Sequence, residues 1–213
     1  INNIMKFRSL MYALGLAIIF GGCTKFVDPT DDFIFIRDPY EPGLPSYTES
    51  GYNTFGAMYE KNYFVVNKNI VPIKIIYKNG NIELTLSGIK GSGNIDAFRS
   101  YADSTRLMSM VFVFPYEECK SYKTLLKLHN TQIDMKATGC QIKLYEANNA
   151  EKILDLQYGN LFIKRAQSLN VDGQRLAVIL SGTFDCKFKN GERYEVIKNG
   201  RFDLSINDSQ FTF

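Results

Sequence analysis

The stretch Arg175–Ile206, RLAVILSGTFDCKFKNGERYEVIKNGRFDLSI, decides the fold. From Val178 onward it alternates: Val178, Leu180, Gly182, Phe184, Cys186 and Phe188 fall on one face, and Ile179, Ser181, Thr183, Asp185 and Lys187 on the other. Successive side chains of a strand point to opposite faces, so this period of two marks a strand with one face on a core. Asn190-Gly191 then interrupts the run, and both residue types accept the positive φ of a two-residue hairpin turn. Beyond the turn Phe202, Leu204 and Ile206 share the inner face, while Arg201 and Asp203 point outward. Two long antiparallel strands are therefore predicted here.

The same pattern recurs upstream. In PIKIIYKNGNIELTLSG, Ile73, Ile75 and Tyr77 precede Asn79-Gly80, and Ile82, Leu84 and Leu86 follow it. YNTFGAMYEKNYFVVN gives two short strands about Glu60–Asn62, and RLMSMVFVF, ending at Pro115, gives a buried one. DLQYGNLFIKRAQSLN supplies one or two more, and TGCQIKLYE sets Cys140, Ile142 and Leu144 on one face against Gln141 and Lys143. Asn94–Asp103 has helical spacing, whereas EECKSYKTLLKLHN serves either period and is left irregular. The fold expected is all-β: an antiparallel sandwich or barrel of about eight to ten strands with at most one or two short helices.

Composition agrees. The 16 Phe and 13 Tyr, with frequent Ile, Val and Thr, suit a pleated, half-buried surface. Lys plus Arg number 25 against 22 acids and are dispersed, so no phosphate-binding stripe forms and nucleic acid is not an expected partner.

At the other end of the chain, LMYALGLAIIFGGCTKF places an apolar run, Leu10–Phe20, behind Lys6 and Arg8 and ahead of Gly21-Gly22-Cys23. The run is shorter than the roughly 20 residues a membrane-spanning helix needs and has the layout of a secretory signal. Phe20-Gly21-Gly22-Cys23 resembles the lipobox of bacterial lipoproteins, in which cleavage precedes the cysteine and the cysteine is acylated. The organisation expected is a signal helix over 1–22, a lipidated extended tether over 23–50 that is rich in proline and acids, and one β domain over 51–213. Within the tether, Phe33-Ile34-Phe35-Ile36 is a candidate edge strand.

LSGTFDCKFKNGERYEVIKNGRFDLSI, with GYNTFGAMYEKNYFV, resembles the closing hairpin and opening strands of small exported Bacteroidota lipoproteins of unknown function. That resemblance implies an all-β domain on a lipid anchor, in the cell envelope at the outer membrane, facing the periplasm or the cell surface. It implies no activity.

Chemistry-bearing residues are sparse. With Cys23 acylated, Cys119, Cys140 and Cys186 remain; a pair among them is open, and Cys140 and Cys186 are expected as small core residues. The spacings fit no metal site, no cofactor is implied, and His129 is the single histidine. Ser181 lacks a nucleophile elbow and falls mid-strand. Glu117-Glu118, or Asp185 with Asp203, are read as solvated ion-pairing groups rather than an acid and base. The expectation is a binding protein, not an enzyme, for a glycan, a peptide or an envelope partner, with Tyr40, Tyr47, Tyr59 and Tyr63 as candidate contacts. The alternative is a calycin-like barrel carrying a small hydrophobic ligand. A hydrolase with an unrecognised site comes third.

Overall fold

Alternating sequence becomes one continuous antiparallel sheet that curls into a half-barrel. The computed structural model describes residues 33–67, 73–92, 106–117, 119–147, 151–171 and 174–213. The signal run Leu10–Phe20, Cys23, the helix expected over Asn94–Asp103, and Glu118 lie outside the described residues. Among those described, the strands are β1 Thr54–Tyr59, β2 Asn62–Val66, β3 Ile73–Lys78, β4 Asn81–Gly91, β5 Leu107–Pro115, β6 Thr131–Asp134, β7 Gln141–Glu146, β8 Glu151–Ile153, β9 Asp155–Val171, β10 Gln174–Asn190, β11 Arg193–Ile206 and β12 Phe211–Thr212. Twelve exceeds the expected number because β6, β8 and β12 have four, three and two residues, too few to show a period. The ambiguous leucine-rich stretch forms a 3-10 helix, Tyr122–Leu128, that buries Leu125 and Leu128.

The sheet runs β6-β9-β10-β11-β1-β2-β4-β5-β7-β8, with β3 on β4 and β12 parallel to β3. Chain connectivity brings its two ends together: only Leu154 separates β8, at one edge, from β9, next to the other. β9 is one strand of 17 residues rather than two, and it stays paired to β10 through irregularities at Ser181/Gly182 and Lys187/Phe188.

Both Asn-Gly hairpins form, with different turns. Lys78 pairs with Asn81, so Asn79 and Gly80 are the loop, at φ of 50° and 75°. Asn190 pairs with Arg193, so the second loop is Gly191-Glu192, one residue later than the sequence suggested. Only Gly191 takes positive φ, 62°, and glycine carries it without a Cβ penalty. The difference frees Asn190 to act as a strand end.

The concave face holds the core. Val178, Leu180, Phe184, Cys186, Phe188, Phe202, Leu204 and Ile206 are all buried there, as the alternation predicts. Gly182 faces Phe202 across the ladder; a Cβ at Gly182 would come within 2.7 Å of that ring and 2.2 Å of the Phe162 carbonyl. Phe112 and Phe184 meet edge-on at 4.9 Å, a contact worth about 0.5–1.5 kcal/mol beyond its buried area.

Residues 33–50, read from sequence as the end of a tether, instead pack along the convex face. Leu44 is fully buried against Val65 and Ile89, the outward residues of β2 and β4. Phe33–Ile36 forms no strand; Ile34 N–H bonds the Tyr52 carbonyl, and Phe33 and Phe35 lean on the core while Ile34 and Ile36 stay exposed. Proline and the acidic residues stop a regular strand but not packing. We call residues 33–53 the strap.

Candidate functional site

The strap is fixed by a residue whose environment differs from the one expected. Asp203, read as a solvated ion-pairing group, is 1% exposed. Its carboxylate accepts from Thr48 Oγ1 at 2.5 Å, Ser50 N at 3.1 Å, Gly51 N at 2.7 Å, Tyr52 N at 3.2 Å and Ser181 Oγ at 2.7 Å. Asp203 does point away from the core, but the strap covers that face. Ser181 sits opposite it in register and is buried as well, so neither is open to a substrate. Asp185 does not join Asp203 as an acid and base pair; it lies beside Tyr158 instead.

The other chemistry-bearing residues divide in the same way. Cys119, Cys140 and Cys186 are buried free thiols, and burial pushes those of Cys140 and Cys186 up to about 12. They pack as protonated groups. His129 Nδ1 accepts from Ala166 N–H at 3.2 Å, so the ring ties the end of the 3-10 helix to β9.

The four candidate tyrosines do not converge. Tyr40 is 91% exposed at a turn that Asp38 Oδ1 closes by accepting from the N–H groups of Tyr40 and Glu41. Tyr63 is half-buried and its ring lies against Gly43. Tyr47 is half-buried beside β9, donates to Glu49 Oε1 at 3.0 Å and carries Lys164 Nζ 4.9 Å from its ring. Tyr59 is only 7% exposed, yet it lies within a cleft ringed by charged groups at the strand ends, apart from the groove that Tyr47 lines.

That cleft is one mouth of the half-barrel, where the ends of β1, β4 and β7 and the β10–β11 turn meet. About 330 Å³ in volume, it is lined by Tyr59, Lys90, Leu144, Glu146, Lys152, Asn190 and Glu195. A smaller recess of about 200 Å³ adds Glu60 and Asn62 while sharing Tyr59, Lys90 and Glu195. Register explains the convergence: Tyr59 pairs with Asn62 and Ile197 at a strand end, and Asn190 and Glu195 flank the tight Gly191-Glu192 loop.

Glu195 is the centre of the mouth. Tyr59 donates to its Oε2 at 2.6 Å, and Asn190 donates to its Oε1. Burial by itself would raise the carboxyl, but the Tyr59 and Asn190 hydrogen bonds and the nearby Lys152 and Lys90 outweigh it and hold Glu195 below the usual carboxylate range. Burial and Glu195 together push the Tyr59 phenol strongly up, which keeps it a donor. Lys90 pairs with Glu146 and its Nζ stands 4.8 Å from the Tyr59 ring; Lys152 Nζ stands 5.5 Å from the ring of Phe188. Two ammoniums thus balance two carboxylates around an aromatic wall.

Of these residues only Tyr59 stood out in the sequence. Asn190 was legible as a turn former, whereas Lys90, Glu146, Lys152 and Glu195 look like ordinary solvated strand-end charges. No family model, curated protein or solved structure matches this chain.

Proposed function

We propose that this protein is a binding module of the cell envelope, anchored through acylated Cys23, that holds a sugar residue of a glycan in the mouth around Tyr59 and Glu195. The observation that carries it is the alternation of fixed donors (Lys90, Lys152, Asn190) and acceptors (Glu146, Glu195) around a cleft of ligand size with an aromatic wall. A sugar hydroxyl both donates and accepts, so it bonds to each kind of neighbour, and the near-zero sum of charges favours a neutral ligand. Phe112, Phe184 and Phe202 fill the middle of the concave face, which favours this reading over carriage of a hydrophobic ligand.

The test is NMR titration of selectively tyrosine-labelled protein with neutral mono- and disaccharides. A saturable shift of the Tyr59 signals, weakened about tenfold in Glu195→Gln, is expected from the loss of one charge-assisted contact. Unmoved Tyr59 signals across the series overturn the reading. The anchor is tested separately, by fatty-acid labelling of the full chain against Cys23→Ala in a bacterial host: label that does not depend on Cys23, or no label at all, removes it.

A further inference from the structure

The strap stops covering β10 at Ser181. Beyond that point the outward residues Thr183, Asp185, Lys187 and Lys189 open to solvent along about 20 Å of strand. Aromatic side chains flank this line on both sides. Phe162 pairs with Thr183 and Tyr158 with Lys187 from β9, and Tyr194 pairs with Lys189 from β11. Tyr158 and Tyr194 are 53% and 57% exposed, and Lys187 Nζ stands 4.7 Å from the Tyr194 ring.

At the Thr183 end the line deepens into a groove of about 500 Å³, lined by Tyr47, Thr183, Asp185, Lys198, Asn199 and Arg201. A bulge makes the groove. Phe184 pairs with Gly200 and Cys186 with Ile197, so Lys198 and Asn199 stand against the single residue Asp185, with Asn199 at φ of 54°. None of this surface belongs to the mouth, which lies at the barrel end.

We propose that the convex face of β10, from the Tyr47 groove to Tyr194, is a second ligand site, a track for an extended, uncharged polysaccharide chain. Three features select that occupant. The backbone of β10 is paired on both sides, so a peptide cannot add as a strand and would leave its own amides without partners. Pyranose rings need only what this face offers, apolar ring faces to stack on and side-chain donors and acceptors between them. The charges along the line nearly cancel, with Lys187, Lys189 and Lys198 set against Asp185 and Asp155, the residue that pairs with Lys189; a polyanion or polycation would meet a like charge within one strand spacing. The length of the line accommodates several sugar rings end to end.

The experiment is native affinity electrophoresis of the full chain in gels cast with soluble neutral polysaccharides (hydroxyethylcellulose, xyloglucan, laminarin, galactomannan), with polygalacturonate as the charged comparison. Retardation in at least one neutral gel is expected, falling about tenfold in affinity in the Tyr158→Ala, Tyr194→Ala double variant with an unchanged melting temperature. Glu195→Gln, at the mouth, is expected to keep that retardation within about twofold, which separates this site from the proposed sugar site. No retardation in any neutral gel overturns the track. So does retardation that survives the double variant, retardation lost with Glu195→Gln alone, or retardation confined to polygalacturonate and removed by salt.

Discussion

The β10–β11 hairpin and the strap lie against the same sheet and are held by different physics. The hairpin is fixed by repetition: Val178 to Asn190 stays paired with Arg193 to Ile206 across a single bulge, with an apolar side chain at nearly every inward position. The strap has no ladder of its own beyond the isolated Arg37–Pro45 bridge. It is held at points, by Leu44 in its apolar niche, by Asp38 on Arg201, by Glu49 near Lys164 and Arg165, and above all by the donors that converge on Asp203. Distributed burial tolerates local loss, whereas a point attachment fails when its one acceptor goes.

The largest effect expected is in the hairpin core. Phe184→Ala removes a ring packed against Phe112 and Phe202 and should destabilise by about 3–5 kcal/mol in urea unfolding, with the whole domain melting as one transition. A loss under about 1 kcal/mol would mean that the rings are not the shared core.

Asp203→Ala strikes the other kind of attachment. It strands buried donors, Ser181 Oγ and Gly51 N–H among them, at a cost of about 2–4 kcal/mol. Amides of residues 50–52 should lose hydrogen-exchange protection well before those of β10. Equal loss in both regions would show that strap and hairpin are one cooperative unit and would erase the contrast.

How far each region was legible follows from the same distinction. Alternation is a local signal, so Val178 to Phe188 announced their faces directly, and Asn79-Gly80 announced its turn to the residue. Gly191-Glu192 shifted by one because an Asn-Gly pair can place its glycine at either central position of the loop, and the pairing of Asn190 with Arg193 chose the first. The strap gave no such signal: Asp38, Pro45 and Asp203 read as linker or surface residues, and their partners lie more than 150 positions away in the chain. Glu195 at the mouth escaped in a similar way, because its partner Tyr59 lies 136 positions back in the chain.

A smaller effect isolates one latch. Asp38→Asn keeps an acceptor for the turn at Tyr40 and Glu41 but loses the ion pair to Arg201, and about 0.5–1 kcal/mol is expected because that pair is only partly buried. Faster exchange confined to residues near 37–46 is the diagnostic, and unchanged exchange there would leave Leu44 as the anchor of that stretch.

The smallest effect is on pH. Burial tends to raise Asp38 and Glu49, but it is outweighed in Asp38 by backbone N–H groups and Arg201, and in Glu49 by Tyr47, Lys164 and Arg165, so both carboxyls sit below their ordinary values. A depressed folded value adds stability above the unfolded value, and that stability is lost as pH falls through the folded one. Acidification below about pH 4 should therefore loosen the strap before the hairpin, read as exchange at strap amides against β10 amides. Simultaneous loosening would place the acid-sensitive groups elsewhere.

The sequence by itself determined the strands β1 to β5, β7 and β9 to β11, the inward face of the β10–β11 hairpin, the Asn-Gly hairpins and the packing role of Cys140 and Cys186, because each follows from period or from residue type at a turn. Tertiary structure alone decided that the strands join in one curled sheet, that an irregular segment becomes a strap, that Asp203 is buried, and that Tyr59, Lys90, Lys152, Asn190 and Glu195 meet at one mouth. Those outcomes depend on which convex surface a distant segment covers and where strand ends fall around a closing sheet, and no local spacing encodes either.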